Sequence, residues 1–152
     1  IATLDVVCEN KDTKTVYEFG YSKDNVNNYK LLKFSIDGNV NPKSEITQKK
    51  INKIDYEIVK SKLTGKERYT IEKSSERIIC LEDDNISGFN AKKIFNKLKI
   101  QIHHDEDIEL SLKKSGTLGE FTLKKSNATF KEYYIEGLIY PEQGYYVVLK
   151  IK

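Results

Sequence analysis

The chain has 152 residues, 38% hydrophobic and 32% charged, with 26 basic against 23 acidic side chains and a net charge of +3. Ten tyrosines and six phenylalanines exclude a disordered chain, which is poor in aromatic and β-branched residues. The near-balance of charge, with Arg68 and Arg77 as its only arginines, excludes a dedicated nucleic-acid binder, which clusters basic residues and favours arginine for phosphate and base contacts.

The length suits a single β-rich domain over residues 1–152 that needs no metal or disulfide to fold. Leu4, Val6 and Cys8 set the first alternation, and residues 14–22 follow with Tyr17, Phe19 and Tyr21 on one face. A polar cluster from Ser22 to Asn28 reads as a turn, and residues 28–37 as a third strand ending at Asp37-Gly38. In the segment after it, Pro42 and Ser44 suggest a short helix near 43–53 carrying Ile46 and Ile51. Strand character returns from Ile54, breaks at Leu63–Lys66, resumes over 67–73, breaks at Ser74-Ser75 and resumes over 76–82.

Beyond Asp83-Asp84, Asn90 as N-cap and Ile94, Phe95 and Leu98 at helical spacing predict a second short helix over 90–98. Leu98, Ile100 and Ile102 then alternate strictly with polar residues. LSLKKSGT at 110–117 and FTLKKSNA at 121–128 echo one another as strand plus turn. The last part is the most apolar: residues 129–140, the turn Pro141–Gly144, and residues 145–152. The sum is a mainly β fold, an antiparallel meander of about ten or eleven strands closing into a barrel or a two-sheet sandwich.

Cys8 and Cys80 make an even pair, read here as one disulfide. Together with a first residue other than methionine, that pair suggests a secreted or periplasmic location, and no apolar run is long enough for a transmembrane helix. His103-His104-Asp105-Glu106-Asp107 holds good metal-ligand chemistry in His103, His104, Asp105 and Asp107. Neighbouring residues of a strand face opposite ways, however, and the DxDxDG spacing of a calcium loop is missing. A solvated hairpin tip is the preferred reading of the same pentapeptide. No GxSxG elbow, GxGxxG turn or Walker loop is present, so no cofactor is implied and an enzymatic role is not favoured.

Tyr133, Tyr134, Tyr140, Tyr145 and Tyr146 are the residues that suggest recognition, because tyrosine joins a large apolar area to a polar tip. The expected role is therefore a non-catalytic domain binding a protein or other macromolecule through a sheet face or loop end. Two alternatives stand beside it: a carrier of a small apolar ligand inside a closed barrel, and a metal-dependent or hydrolytic enzyme using His103 or His104.

Overall fold

A computed structural model describes residues 1–8, 10–22, 29–82 and 85–152. The polar turn expected after Ser22 falls on residues 23–28 and, like the Asp83-Asp84 pair, lies outside the described residues. Among the described residues the chain is all β: β1 (Ala2–Val7), β2 (Thr15–Ser22), β3 (Lys30–Ile36), β4 (Asn39–Val40), β5 (Glu45–Ile51), β6 (Ile54–Leu63), β7 (Arg68–Glu76), β8 (Ile86–Asn90), β9 (Phe95–His103), β10 (Ile108–Ser115), β11 (Thr122–Ser126), β12 (Phe130–Ile139) and β13 (Gly144–Ile151). No helix among them is long and apolar enough to cross a membrane. The antiparallel sheets are sandwich-like and do not close into a barrel, which corrects the barrel alternative.

Contacts gather into two compact units, one formed by Ile1–Val6 with Cys80–Lys152 and the other by Val7–Ile79. In the first, one sheet runs β11-β12-β9-β1 and the other β10-β13-β8. Successive strands change sheet at the turns, so β9 pairs with β1 and β12 while β10 pairs with β13. This is not the simple neighbour-to-neighbour meander of the expectation.

The helix expected over 90–98 is instead the end of β8, a short connection and the start of β9. Its helical spacing has a β-sheet explanation. Phe95, Leu98 and Ile100 are all buried, yet strict alternation would turn Phe95 outward. Lys97 adopts a positive φ of 61° and is skipped in the pairing with β1, where Leu4 meets Leu98 and Asp5 meets Asn96. That bulge restores Phe95 to the core. On the other side, β12 absorbs still more chain, with Gly137 at φ 94° between Ile135 and Leu138. The inward residues thereby align in three cross-strand rows: Ala2–Ile100–Tyr133, Leu4–Leu98–Ile135 and Val6–Phe95–Ile139.

In the Val7–Ile79 unit, one sheet runs β7-β3-β4 and the other β2-β6-β5. Tyr17 and Phe19 of β2 meet Phe34 of β3, with ring centroids 6.0 and 5.1 Å apart, over a core of Val59, Leu63, Tyr69 and Ile71. The helix expected near 43–53 is β5, paired along its whole length with β6. Asn52 and Lys53 both take positive φ, 49° and 68°, and close Ile51 against Ile54 as a two-residue type I′ hairpin. A partner strand two residues away outweighs the weak helix-start signal of Pro42 and Ser44. The turn expected at Ser74-Ser75 is absent, since β7 continues through both serines opposite β3, while Arg77–Cys80 leaves the sheet.

Gly144 opens β13 where its backbone presses on β8. A Cβ there would lie 1.9 Å from the Phe89 carbonyl oxygen, a contact that only backbone movement could relieve. Gly144→Ala is expected to cost about 3–5 kcal/mol in chemical denaturation. Gly88→Ala, whose Cβ would meet ordinary contacts at 3.4 Å and beyond, should change stability by about 1 kcal/mol or less.

Candidate binding edge

The five C-terminal tyrosines do not form one surface. Tyr133 and Tyr145 are turned into the core of their unit: Tyr133 is buried, and Tyr145 stacks on Phe89 at 5.7 Å with Phe121 edge-on. Tyr134 lies half-buried on β12, near Lys124 and beside a shallow depression lined by Thr3, Asp5, Lys97 and Lys99. Tyr140 and Tyr146 are exposed, Tyr140 at the turn into β13 and Tyr146 on β13 itself. Tyr134 and Tyr146 therefore belong to different sheets.

His103 is exposed at the end of β9 with its ring against Phe130, and His104 holds Nδ1 2.9 Å from the Asp105 carbonyl oxygen. Asp105 and Asp107 are exposed in the turn that follows. Among the described residues no three His, Cys, Asp or Glu side chains gather in a group able to hold a metal ion. The expected disulfide is also corrected: Cys8 and Cys80 are both free thiols. Cys8 is buried, with its N–H donated to the Glu67 carbonyl, whereas Cys80 is exposed, so the two thiols occupy opposite environments.

Aromatic residues collect at one end of the Val7–Ile79 unit. Phe19, Tyr21 and Tyr29 continue the Phe34 cluster, and Tyr21 and Tyr29 stack at 4.9 Å. Burial, and then a hydrogen bond donated to the Glu57 carboxylate, push the Tyr21 hydroxyl up to about 12. Lys73 of β7 sits beside Phe34 in register with its ammonium 5.0 Å from the Phe19 ring centre. Burial holds that amine below its ordinary value. In the other unit, burial alone pushes Tyr145 to about 12. Tyr21, Lys73 and Tyr145 are half-buried, and each is engaged by a neighbouring side chain.

The accessible feature is an edge. Strand β5 is seven residues long, unbulged, and hydrogen-bonded to β6 alone. All of its residues except Thr47 are exposed, including Ile46 at 61%. The type I′ closure at Ile51–Ile54 makes that pair a hydrogen-bonded one, so by alternation Glu45, Thr47, Lys49 and Ile51 spend their backbone groups on β6. The N–H and C=O of Ile46, Gln48 and Lys50 consequently face away from β6, and no described residue pairs with them.

β2, eight residues long, is an equally regular edge of the same sheet, whereas three other edges carry local devices. β11 has five exposed residues, carries Lys124 and Lys125, and is bulged. β4 is two residues long. On β10, the Lys131 ammonium donates to the Leu110 carbonyl. Such measures are how sheets avoid unwanted pairing, and β5 lacks all of them except its two lysines. Sequence reasoning missed this edge because Ile46 and Ile51 lie five residues apart, on opposite faces of a strand, and Asn52-Lys53 lacks the glycine of a typical two-residue hairpin. Comparison of the chain with protein-family models, curated proteins and solved structures found no match.

Two solution measurements check these environments. A thiol reagent should label one cysteine, Cys80, in the native protein and both after denaturation; prompt native labelling of both would contradict the burial of Cys8. In an alkaline titration read by tyrosinate absorbance, burial should hold Tyr29 and Tyr133 back beyond the usual value of about 10. Tyr21 and Tyr145 should resist to about 12. Because their folded values lie above the unfolded one, their contribution to stability is complete below about pH 10 and is lost as pH rises towards 12.

Proposed function

We propose that this chain is a non-catalytic binding domain that engages another protein through the open side of β5. One observation carries the reading: a seven-residue, unbulged strand presents the backbone of Ile46, Gln48 and Lys50 with no described partner. An extended segment added there gains main-chain hydrogen bonds, while alternate side chains decide which segment is accepted. The outer face of the β2-β6-β5 sheet supports the role. Its alternation places Tyr56 and Ile58 of β6 beside Lys49 and Thr47 of β5, so an added strand would lie within reach of apolar and charged neighbours.

Gln48→Pro tests this reading without disturbing the hairpin. The Gln48 N–H points away from β6, so proline removes no existing ladder bond there, yet it blocks pairing on the open side. Wild-type and variant protein would be immobilised and offered the same extract of the cells from which the protein comes. A partner retained by wild type and lost by Gln48→Pro is the expected result. Equal retention by both would refute the edge as the binding element.

A further inference from the structure

The proposal above leaves the occupant of the edge open, and the sheet's charge pattern narrows it. Across β2, β6 and β5, Glu18 pairs with Lys60 and Lys60 with Glu45 in register, on the outer face of the sheet. The Glu18–Lys60 ion pair is formed at 3.5 Å. The row therefore alternates negative, positive, negative, and it stops at Glu45 on the open edge. A next strand that continues it must bring a cation opposite Glu45.

β5 itself carries that cation. When two copies of β5 run antiparallel, facing residues must share a sheet face, so the permitted registers are those that pair odd with odd and even with even. The register centred on Thr47 sets Glu45 of each copy opposite Lys49 of the other, Thr47 opposite Thr47, and Ile46 opposite Gln48. One step either way, centred on Gln48 or Ile46, leaves Glu45 and Lys49 facing uncharged residues. A centre at Lys49 or Glu45 opposes like charges.

The backbone agrees with the same register. Ile46 and Gln48 are the residues whose N–H and C=O face outward, so they form the hydrogen-bonded pairs of the new ladder. Thr47–Thr47 and Glu45–Lys49 then fall at non-hydrogen-bonded sites, where facing side chains approach more closely. Opposite charges and facing threonines are among the favourable cross-strand pairs.

We infer that the occupant of the edge is a second copy of this chain, joined β5 to β5 about a two-fold axis at Thr47. The result is a continuous six-stranded sheet in the order β2-β6-β5-β5-β6-β2. This rests on the reading of β5 as a binding edge and adds the identity of the partner and the register.

The test is sedimentation equilibrium of the purified full chain over a wide concentration range. Wild type should show a monomer–dimer equilibrium. Glu45→Lys and Lys49→Glu should each weaken it about tenfold, since each change sets like charges opposite at two symmetric sites. The double variant, with the charges exchanged, should return close to wild type. In a Cys80→Ser background, Thr47→Cys should oxidise to a covalent dimer faster than Gln48→Cys.

A wild-type chain that stays monomeric, or a double variant no better than the single ones, would overturn self-pairing. If self-pairing fails while Gln48→Pro still loses a retained protein, the edge stands and its occupant is a different chain. If self-pairing fails and Gln48→Pro retains that protein as well as wild type does, the edge reading fails too.

Discussion

A β-strand has two hydrogen-bonding sides, and each must be paired, capped, hidden or left to water. This requirement organises the molecule more than any single side chain does. β11 is short, charged and bulged, β4 is cut to two residues, and β10 has a carbonyl occupied by Lys131. β2, eight residues long, and β5, seven, each pair with β6 alone and without a bulge. Water can satisfy such open sides at little cost, so each edge is stable as it stands, but it remains a template for another strand.

The same backbone arithmetic shapes the core of the unit that contains β9. Three adjacent strands cross the same core with unequal numbers of residues: Leu4 to Val6 on β1, Phe95 to Leu98 on β9, and Ile135 to Ile139 on β12. The surplus is taken up at Lys97 and around Gly137, both with positive φ. Bulges of this kind bend a strand and increase its twist, which curves a sheet over its partner. Buried rows stay aligned because the irregularity is confined to residues that do not face the core. Glycine suits the Gly137 position because it lacks a Cβ to strain a positive φ, whereas Lys97 bears that conformation with a side chain.

In the Val7–Ile79 unit the core is aromatic rather than aliphatic at one end, and it contains an amine. Lys73 lies against the Phe19 ring, and the Tyr21 hydroxyl is held by Glu57. A buried cation against a ring face is less costly than one against aliphatic carbon, because the ring quadrupole attracts it. The Tyr17, Phe19 and Tyr21 stripe is taken up by aromatic packing. Its faces are spent on one another and on Phe34 and Tyr29.

By itself the sequence determined that the chain is β-rich and antiparallel, because period-two alternation and turn chemistry are local properties that survive without knowledge of partners. It located β1, β2, β3, β6 and the strands from β9 onward to within a few residues. It could not place the two segments read as helices. Phe95 and Leu98 owe their helix-like spacing to a bulge that exists only beside β1, and β5 is a strand because β6 lies next to it. The tyrosine-rich C-terminal strands were legible as a feature, but the pleat and the change of sheet scatter their hydroxyls, which periodicity alone does not reveal. Strand order, the free thiols and the open edge were decided by tertiary structure. Each depends on which strand lies beside which, and that is a property of pairing across the chain rather than of any one stretch of residues.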